Sequence, residues 1–470
     1  MNDLNIPLNT LLDEETVLQG FSAEVSENTI IRSLCVDSRK IQKGDWFICL
    51  KGETFDGHDF IEVALAAGAA GIIYDRANIN CKGIRVSDTL IFLGKIANQW
   101  RKIVNPVVIA ITGSNGKTSV KELISFLIEK YARNQVCQSA GNFNNQYGVP
   151  YTLLSLRPSH RFLVIEVGTN HPGEIAPLSV LSQPDYAIIT SISPGHIGNF
   201  GSLESIALEK SEIIAGLKPS GILFIHQDLL KFAEIQKKAA QHGCIVKTPD
   251  HLITLIKNDE SGIDFLLDGE TFHYPVYGLH QFQNLLLAHA ILSEIIKDSE
   301  KIKEALRELK NYNPVKGRLQ KTRNASFNIW DDTYNANPAS YKEAIQFIHK
   351  ISQASSASHT FGAFGMMGEL GDFSEKAHEE LGRLTVEQGF SAVFFSADNE
   401  KIRNAFLKGR REYIQEPKLP DIPDTMVASN SDQDIAYGYK YLRSKMNAGD
   451  HLLVKGSRST RMERMLKYFT

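Results

Sequence analysis

From about position 106 the chain alternates short, continuous apolar runs with longer segments whose apolar residues fall three and four apart. The runs at 107–111, 162–167, 186–190 and 221–226 show no polar alternation and read as strands buried on both faces. With amphipathic helices between them they predict a parallel sheet covered on both sides. A polar, hairpin-like stretch at 252–277 follows, and then a helix from about 281 to 296. Positions 311–317, Asn-Tyr-Asn-Pro-Val-Lys-Gly, read as a linker because Pro and Gly punctuate them. Beyond it the alternation restarts, with strands at 327–331, 360–364, 392–396 and 451–455 and helices at about 340–351, 374–388 and 432–445, a second open α/β unit. Before 104 the pattern is choppier, with β-like pieces at 30–37, 45–50 and 71–74 and a helical piece at 60–67. The expected fold class is α/β in three domains, 1–104, 105–314 and 315–470, without internal repeats.

A length of 470 residues agrees with this division, since single cores stop growing well below that size. A net charge of −3 argues against a bulk nucleic-acid binder. Cys35, Cys49, Cys81, Cys137 and Cys244 stand singly, so neither a zinc site nor a disulfide framework is indicated. No run reaches the roughly 18 apolar residues of a membrane span, and the acidic N-terminal stretch does not read as a signal peptide. A cytoplasmic protein is expected.

The run at 107–111 leads into Thr112-Gly-Ser-Asn-Gly-Lys-Thr118, after which Val120, Leu123, Ile124, Leu127 and Ile128 trace one helix face. A strand, a glycine loop and a helix in this order place backbone N–H groups and the positive helix end around a polyphosphate. Gly113 and Gly116 allow close approach, Ser114, Asn115 and Ser119 complete the loop, Lys117 reaches terminal phosphates, and Thr118 offers a hydroxyl to Mg²⁺. ATP is the expected ligand. The general pattern G-x-x-x-x-G-K-[ST] would place its first glycine at position 111, which is Ile.

Glu166 ends the run Phe-Leu-Val-Ile, at the strand end that faces the ligand crevice of such sheets, where a carboxylate suits Mg²⁺. Taken alone this is near even odds against a plain strand-end acid. His196 follows the next strand in Ser-Pro-Gly-His-Ile-Gly-Asn. A lone loop histidine is more often solvated than functional, and only its position beside the predicted metal reverses that. Lys210 lies in a helical stretch, 204–217, and its spacing gives it no role beyond that of a surface lysine.

TGSNGKTSVKE, GNFNNQYGVPYTLL, EVGTNHPGEI, TSISPGHIGNFGSLESIALEKSEI and GLHQFQN occur in the order and spacing of the Mur ligases, which the chain resembles over almost its whole length. VDSRKIQKGDWFICLKGETFDGHDF, DDTYNANPASYKEA and GAFGMMGELGDFSEKAHEELG point within the family to the branch that adds D-alanyl-D-alanine to UDP-N-acetylmuramoyl-tripeptide. The resemblance implies an N-terminal domain for the UDP end, a central ATPase domain, and a Rossmann-like C-terminal domain that closes over ATP. It implies two Mg²⁺ ions at Thr118, Glu166, His196 and a carbamylated Lys210. It places His280, Asn284, Arg318 and Asp332 at the nucleotide, with Gln281 standing where Asn is common. Ser38, Arg39 and His58 are implied at the UDP-sugar, Asn142, Asn144 and Asn145 at the peptide substrate, and Asn335 and Asn337, with 367–370, at the amine dipeptide. Asn between elements also forms turns and caps.

The chemistry so implied is activation of a peptide carboxylate by ATP to an acyl phosphate, which the dipeptide amine then attacks. Lys117, Glu166, His196 and Lys210 would carry it by positioning and charge neutralisation, in a monomer. A ligase for the third stem residue and a folylpolyglutamate synthase are the near alternatives, and the DDTYNANP and MMGELGD stretches argue against both. A nucleotide-sensing module would need the phosphate loop but not Glu166, Lys210 and His280 together.

Overall fold

The computed structural model describes residues 4–11, 18–22, 25–52, 54–249, 252–323, 326–354, 359–414 and 424–469; the N-terminal stretch read above falls partly outside them. The apolar runs of the middle region form a six-stranded, wholly parallel sheet. Its order is Ile245–Lys247, Ile222–Ile225, Tyr186–Ile189, Val107–Thr112, Phe162–Glu166, Val136–Gln138. Successive side chains go to opposite faces, which explains the lack of alternation. Val108, Ala110, Leu163 and Ile165 join one core, while Ile109, Ile111, Val164 and Ile188 join another.

The helix after the glycine loop, Lys117–Tyr131, buries Val120, Leu123, Ile124, Leu127 and Ile128 completely, the face that the spacing predicts. The polar stretch at 252–277 is a three-stranded antiparallel sheet, Thr254–Asp259, Gly262–Leu267 and Glu270–Tyr274. Its inward Phe265 and Phe272 stack at 5.3 Å. The helix expected from 281 runs as Leu279–Ile295.

The last region holds a second six-stranded sheet, ordered Gln320–Arg323, Asn328–Asp332, His451–Lys455, Thr360–Gly365, Phe390–Ser396, Asp424–Ala428; only the first strand is antiparallel. The first region carries a five-stranded sheet, Leu18–Phe21, Gly83–Val86, Gly71–Tyr74, Trp46–Ile48 and Leu34–Cys35. The β-like piece expected at 30–37 is two separate strands, Ile30–Ile31 and Leu34–Cys35, which enter different sheets.

Two further elements depart from the sequence reading. The helix Thr89–Val104, capped by Asp88 and ended at the left-handed Asn105, was not anticipated. It joins the first unit to the second: Trp100 Nε1 donates to the Leu156 carbonyl at 2.9 Å and Asn98 Nδ2 to Leu181 O at 2.7 Å. The linker at 311–317 is pinned at its start, because Tyr312 is buried edge-on to Phe126 and Tyr274, each at 5.3 Å. Among the described residues no helix is long and apolar enough to cross a membrane.

Candidate active site

The ends of the central strands and the edge of the last unit enclose a cavity of about 670 Å³. Its floor is the glycine loop. Position 111 lies in mid-strand, paired with Glu166 on one side and Ile188 on the other, so the loop begins only at Gly113. Gly113 has φ 140°, and a Cβ there would sit 2.1 Å from Thr190 Oγ1; Gly116 has φ 87°, and its Cβ would meet Asn284 Oδ1 at 2.9 Å. A side chain at either site would push the loop off Thr190 and Asn284, and both backbones have φ values that favour glycine. Asn284 therefore lies under the loop, bonded to Gln281 Oε1 at 3.2 Å.

Lys117 folds back on its own loop, donating to Gly113 O at 2.7 Å and Ser114 O at 3.4 Å. Ser114 and Asn115 tie the loop to the next strand's end: Ser114 Oγ donates to Ser193 O at 3.0 Å and Asn115 Nδ2 to Ser193 Oγ at 3.0 Å. Ser119 is buried in the first helical turn.

Glu166 is 2% exposed at the end of its strand. Thr118 Oγ1 donates to its Oε2 at 2.9 Å and Asn144 Nδ2 to its Oε1 at 2.8 Å. Asn142 also lines the cavity. Asn145 lines it too, and its Oδ1 accepts N–H bonds from Tyr147 and Gly148 at 3.1 and 3.0 Å. The loop carrying these asparagines is held by Lys121, fully buried, whose Nζ donates to Ser139 O at 2.7 Å and Gly141 O at 3.2 Å.

Lys210 lies on the buried side of Leu203–Ser211, a helix that gives way to a tighter turn at Glu212–Gly216 rather than running on to 217. It is 2% exposed. Burial, reinforced by the nearby Lys117 charge, holds its ammonium well below the ordinary lysine value of 10.5. Burial likewise lowers Lys117. The neighbouring Glu209 braces the loop in front, accepting from Gly173 N at 2.7 Å and Ile175 N at 3.0 Å. His196 lines the cavity in a left-handed conformation, φ 61°, with Nδ1 against Glu369 Oε2 of the last unit. That contact draws the Glu369 carboxyl below its usual value.

From the last unit, Arg318 Nη2 donates to Thr118 Oγ1 at 3.3 Å while its guanidinium lies 4.1 Å from the Tyr334 ring centre. Its Nε is buried with no hydrogen-bond partner among the described residues. Asn337 caps the helix Pro338–Gln353 and reaches Asn115, donating to its Oδ1 at 2.6 Å. Asn335 and Asp332 line the same cavity, as does His280, whose Nδ1 lies 3.5 Å from Glu343 Oε2. Ser38, Arg39 and His58 do not line it. Arg39 is exposed and ion-paired with Asp37 at 2.8 Å, while His58 is buried between Asp56 at 2.6 Å and Asp75 at 3.2 Å.

Three family profiles match in succession: Mur ligase family, catalytic domain, over residues 30–101; Mur ligase middle domain over 111–292; and Mur ligase, glutamate ligase domain, over 317–458. The UDP-N-acetylmuramoyl-tripeptide–D-alanyl-D-alanine ligase of Bacillus subtilis is 33% identical over 94% of this chain and 93% of its own length. The chain belongs to the Mur ligase family. MurF from Acinetobacter baumannii superposes with a TM-score of 0.80 at 29% identity, covering 94% of both chains. MurF from Thermotoga maritima, solved in complex with ADP, gives 0.77 at 26% identity over 93% of this chain and 97% of its own. A folylpolyglutamate synthase from Mycobacterium tuberculosis, at 0.61 and 16% identity, shares the fold alone. As a Mur ligase the chain is an ATP-dependent enzyme that forms a carbon–nitrogen bond.

Sequence reasoning missed Lys455 and His378. Lys455 ends an apolar strand as Glu166 does, so the same signal was available. His378 is fully buried, donating Nδ1–H to Ser374 O at 2.7 Å and accepting the Met367 N–H at Nε2, 2.8 Å, which anchors the loop that carries Glu369. Burial pushes it down from 6.5 to about 4. The neutral ring is the one that fits, so its contribution is complete above about 6.5 and is lost as pH falls toward 4, up to about 3 kcal/mol at about 1.4 kcal/mol per pH unit. Denaturant unfolding of wild type and His378→Asn across pH 4–7 measures this. The stability difference between them should shrink as pH falls, and a constant difference would refute it.

Proposed function

We propose that the enzyme joins D-alanyl-D-alanine to UDP-N-acetylmuramoyl-tripeptide, completing the nucleotide-linked pentapeptide precursor of peptidoglycan, through an acyl phosphate. The observation that carries this is the meeting of Thr118 and Glu166 of the central unit with Arg318 of the last unit, in one cavity beside a phosphate loop. In this reading 1–104 holds the UDP end through Ser38, Arg39 and His58, 105–314 holds ATP and the tripeptide carboxylate, and 315–470 holds the dipeptide and closes over ATP. One chain supplies every group, so a monomer in the cytoplasm suffices.

The residues present fit Mg²⁺. The Thr118 hydroxyl and Glu166 carboxylate are hard oxygen donors, and His196 lines the same cavity. Lys210 is held toward its neutral form, and a neutral amine attacks CO₂: the Nζ–C bond forms, one proton leaves, and a cation becomes an oxygen ligand. Two Mg²⁺ ions held there would neutralise polyphosphate charge as it shifts between oxygens. The chain's own groups do the rest. Backbone N–H groups of the loop and the positive end of Lys117–Tyr131 cradle phosphate, while Lys117 and Arg318 balance the transferred charge. Asn144 fixes Glu166. The dipeptide's ammonium first gives up a proton; the neutral amine then attacks the acyl carbon, the C–N bond forms, the acyl C–O bond breaks, and phosphate leaves with the amine's second proton. Contacts from Asn337 and Glu369 across the cleft limit water, to which an acyl phosphate is vulnerable.

Phosphate release, measured with UDP-N-acetylmuramoyl-tripeptide and D-alanyl-D-alanine each omitted in turn, tests the whole reading; release that ignores either omission would end it. Arg318→Ala should lower kcat by about 100-fold or more, the usual scale for one charge-stabilising donor, with little change in KM for the UDP substrate. The reverse pattern would remove Arg318 from the phosphate chemistry. Lys210→Ala should be nearly inactive and regain part of its rate with a short-chain carboxylic acid such as formate. A variant that stays active without the acid would exclude the carbamate.

A further inference from the structure

Asp332, on the cavity wall, has each of its oxygens engaged within the last unit. Oδ1 accepts the Leu319 N–H at 3.0 Å, and Oδ2 accepts from Lys455 Nζ at 2.6 Å. Lys455 is the last residue of His451–Lys455 and stands directly beside Asp332 in the parallel register with Asn328–Asp332. It is 1% exposed, donates a second bond to Asn335 O at 3.1 Å, and lies 5.4 Å from the Tyr341 ring centre. A lysine so deeply buried costs several kcal/mol in desolvation, and an apolar side chain of similar volume would serve packing as well or better. The strand ladder does not need it. Its effect falls on what Asp332 holds.

Asp332 holds Leu319. That residue has φ 50°, a left-handed conformation that a branched side chain adopts only when its surroundings impose it. The bond from its N–H to Asp332 Oδ1 is such an imposition, and the residue before it is Arg318, whose guanidinium reaches Thr118 of the phosphate loop. We propose that Lys455 is a positioning residue which, through Asp332 and the Leu319 backbone, sets Arg318 against the phosphate loop. Lys455 touches no substrate in this scheme. It supplies the fixed charge that keeps the Asp332 carboxylate turned so that one oxygen faces the backbone. Without that charge Asp332 is free to rotate, Leu319 relaxes, and the arginine is misplaced.

The proposal rests on the ligase reading above. It is tested by a double-mutant cycle on kcat with Lys455→Met and Arg318→Ala, alone and together. Wild-type phosphate release that requires both substrates is the baseline, so failure of the ligase reading shows in the wild type and failure of this proposal only in the variants. Lys455→Met strands the Asp332 carboxylate and should lower the melting temperature, but at a temperature where the variant is folded it should keep a near-native KM for ATP and the UDP substrate while kcat falls about 10- to 100-fold, the scale of a displacement near 1 Å. In the Arg318→Ala background the same substitution should change kcat less than about threefold, since the two act in series. An additive loss, or a Lys455→Met enzyme with wild-type kcat, would overturn the proposal. If Lys455→Met does not fold, Asp332→Asn, which retains an oxygen for the Leu319 N–H but loses the charge, runs the same cycle with the same criteria.

Discussion

A carboxylate buried at a strand end must be satisfied on every side, and that requirement at Glu166 organises the catalytic face. Its backbone N–H bonds Ser139 Oγ at 3.1 Å, and its two oxygens take Thr118 and Asn144. Thr118 belongs to the phosphate loop and Asn144 to the asparagine loop, so one acid fixes the distance between the two loops. Lys121 repeats the constraint from below by gripping Ser139 and Gly141. An unpaired charge in such a place costs several kcal/mol, which makes the arrangement nearly all-or-none.

The second organising fact is that two open sheets present strand ends to each other. Parallel strands place their carboxyl ends on one edge: Thr112 and Glu166 in the central sheet, Asp332 and Lys455 in the last one. Few side chains cross the gap. Arg318 reaches Thr118, Asn337 reaches Asn115, and Glu369 meets His196. Each lies within about five residues of a strand end, Arg318 before Gln320–Arg323, Asn337 after Asn328–Asp332 and Glu369 after Thr360–Gly365.

Much of the central fold was legible because continuous apolar strands and a 3.6-residue helix face leave direct traces, as in 162–166 and at Val120 through Ile128. The first region was less so, since strands of two residues, such as Ile30–Ile31, are defined by pairing and not by period. Thr89–Val104 carried its own signals in Asp88 and Asn105 and was overlooked. Glu166 could be read from its position at a strand end. Lys210 could not, because only tertiary packing reveals that this lysine is buried beside another. Lys455 carried the same strand-end signal as Glu166, but its pairing with Asp332, like the contact of His378 with Met367, joins residues that only the fold brings together.

The chain passes from the core that contains Tyr312 to the core that contains Leu319 through six residues, 313–318. Any rotation of one core against the other turns about this short crossing, and a group moves in proportion to its distance from it. Arg318 stands at the pivot itself, whereas Asn337 and Glu369 ride farther out on the lever. Arg318 thus keeps its place against Thr118, and any such rotation is taken up at the contacts farther along the chain, Asn337 with Asn115 and Glu369 with His196.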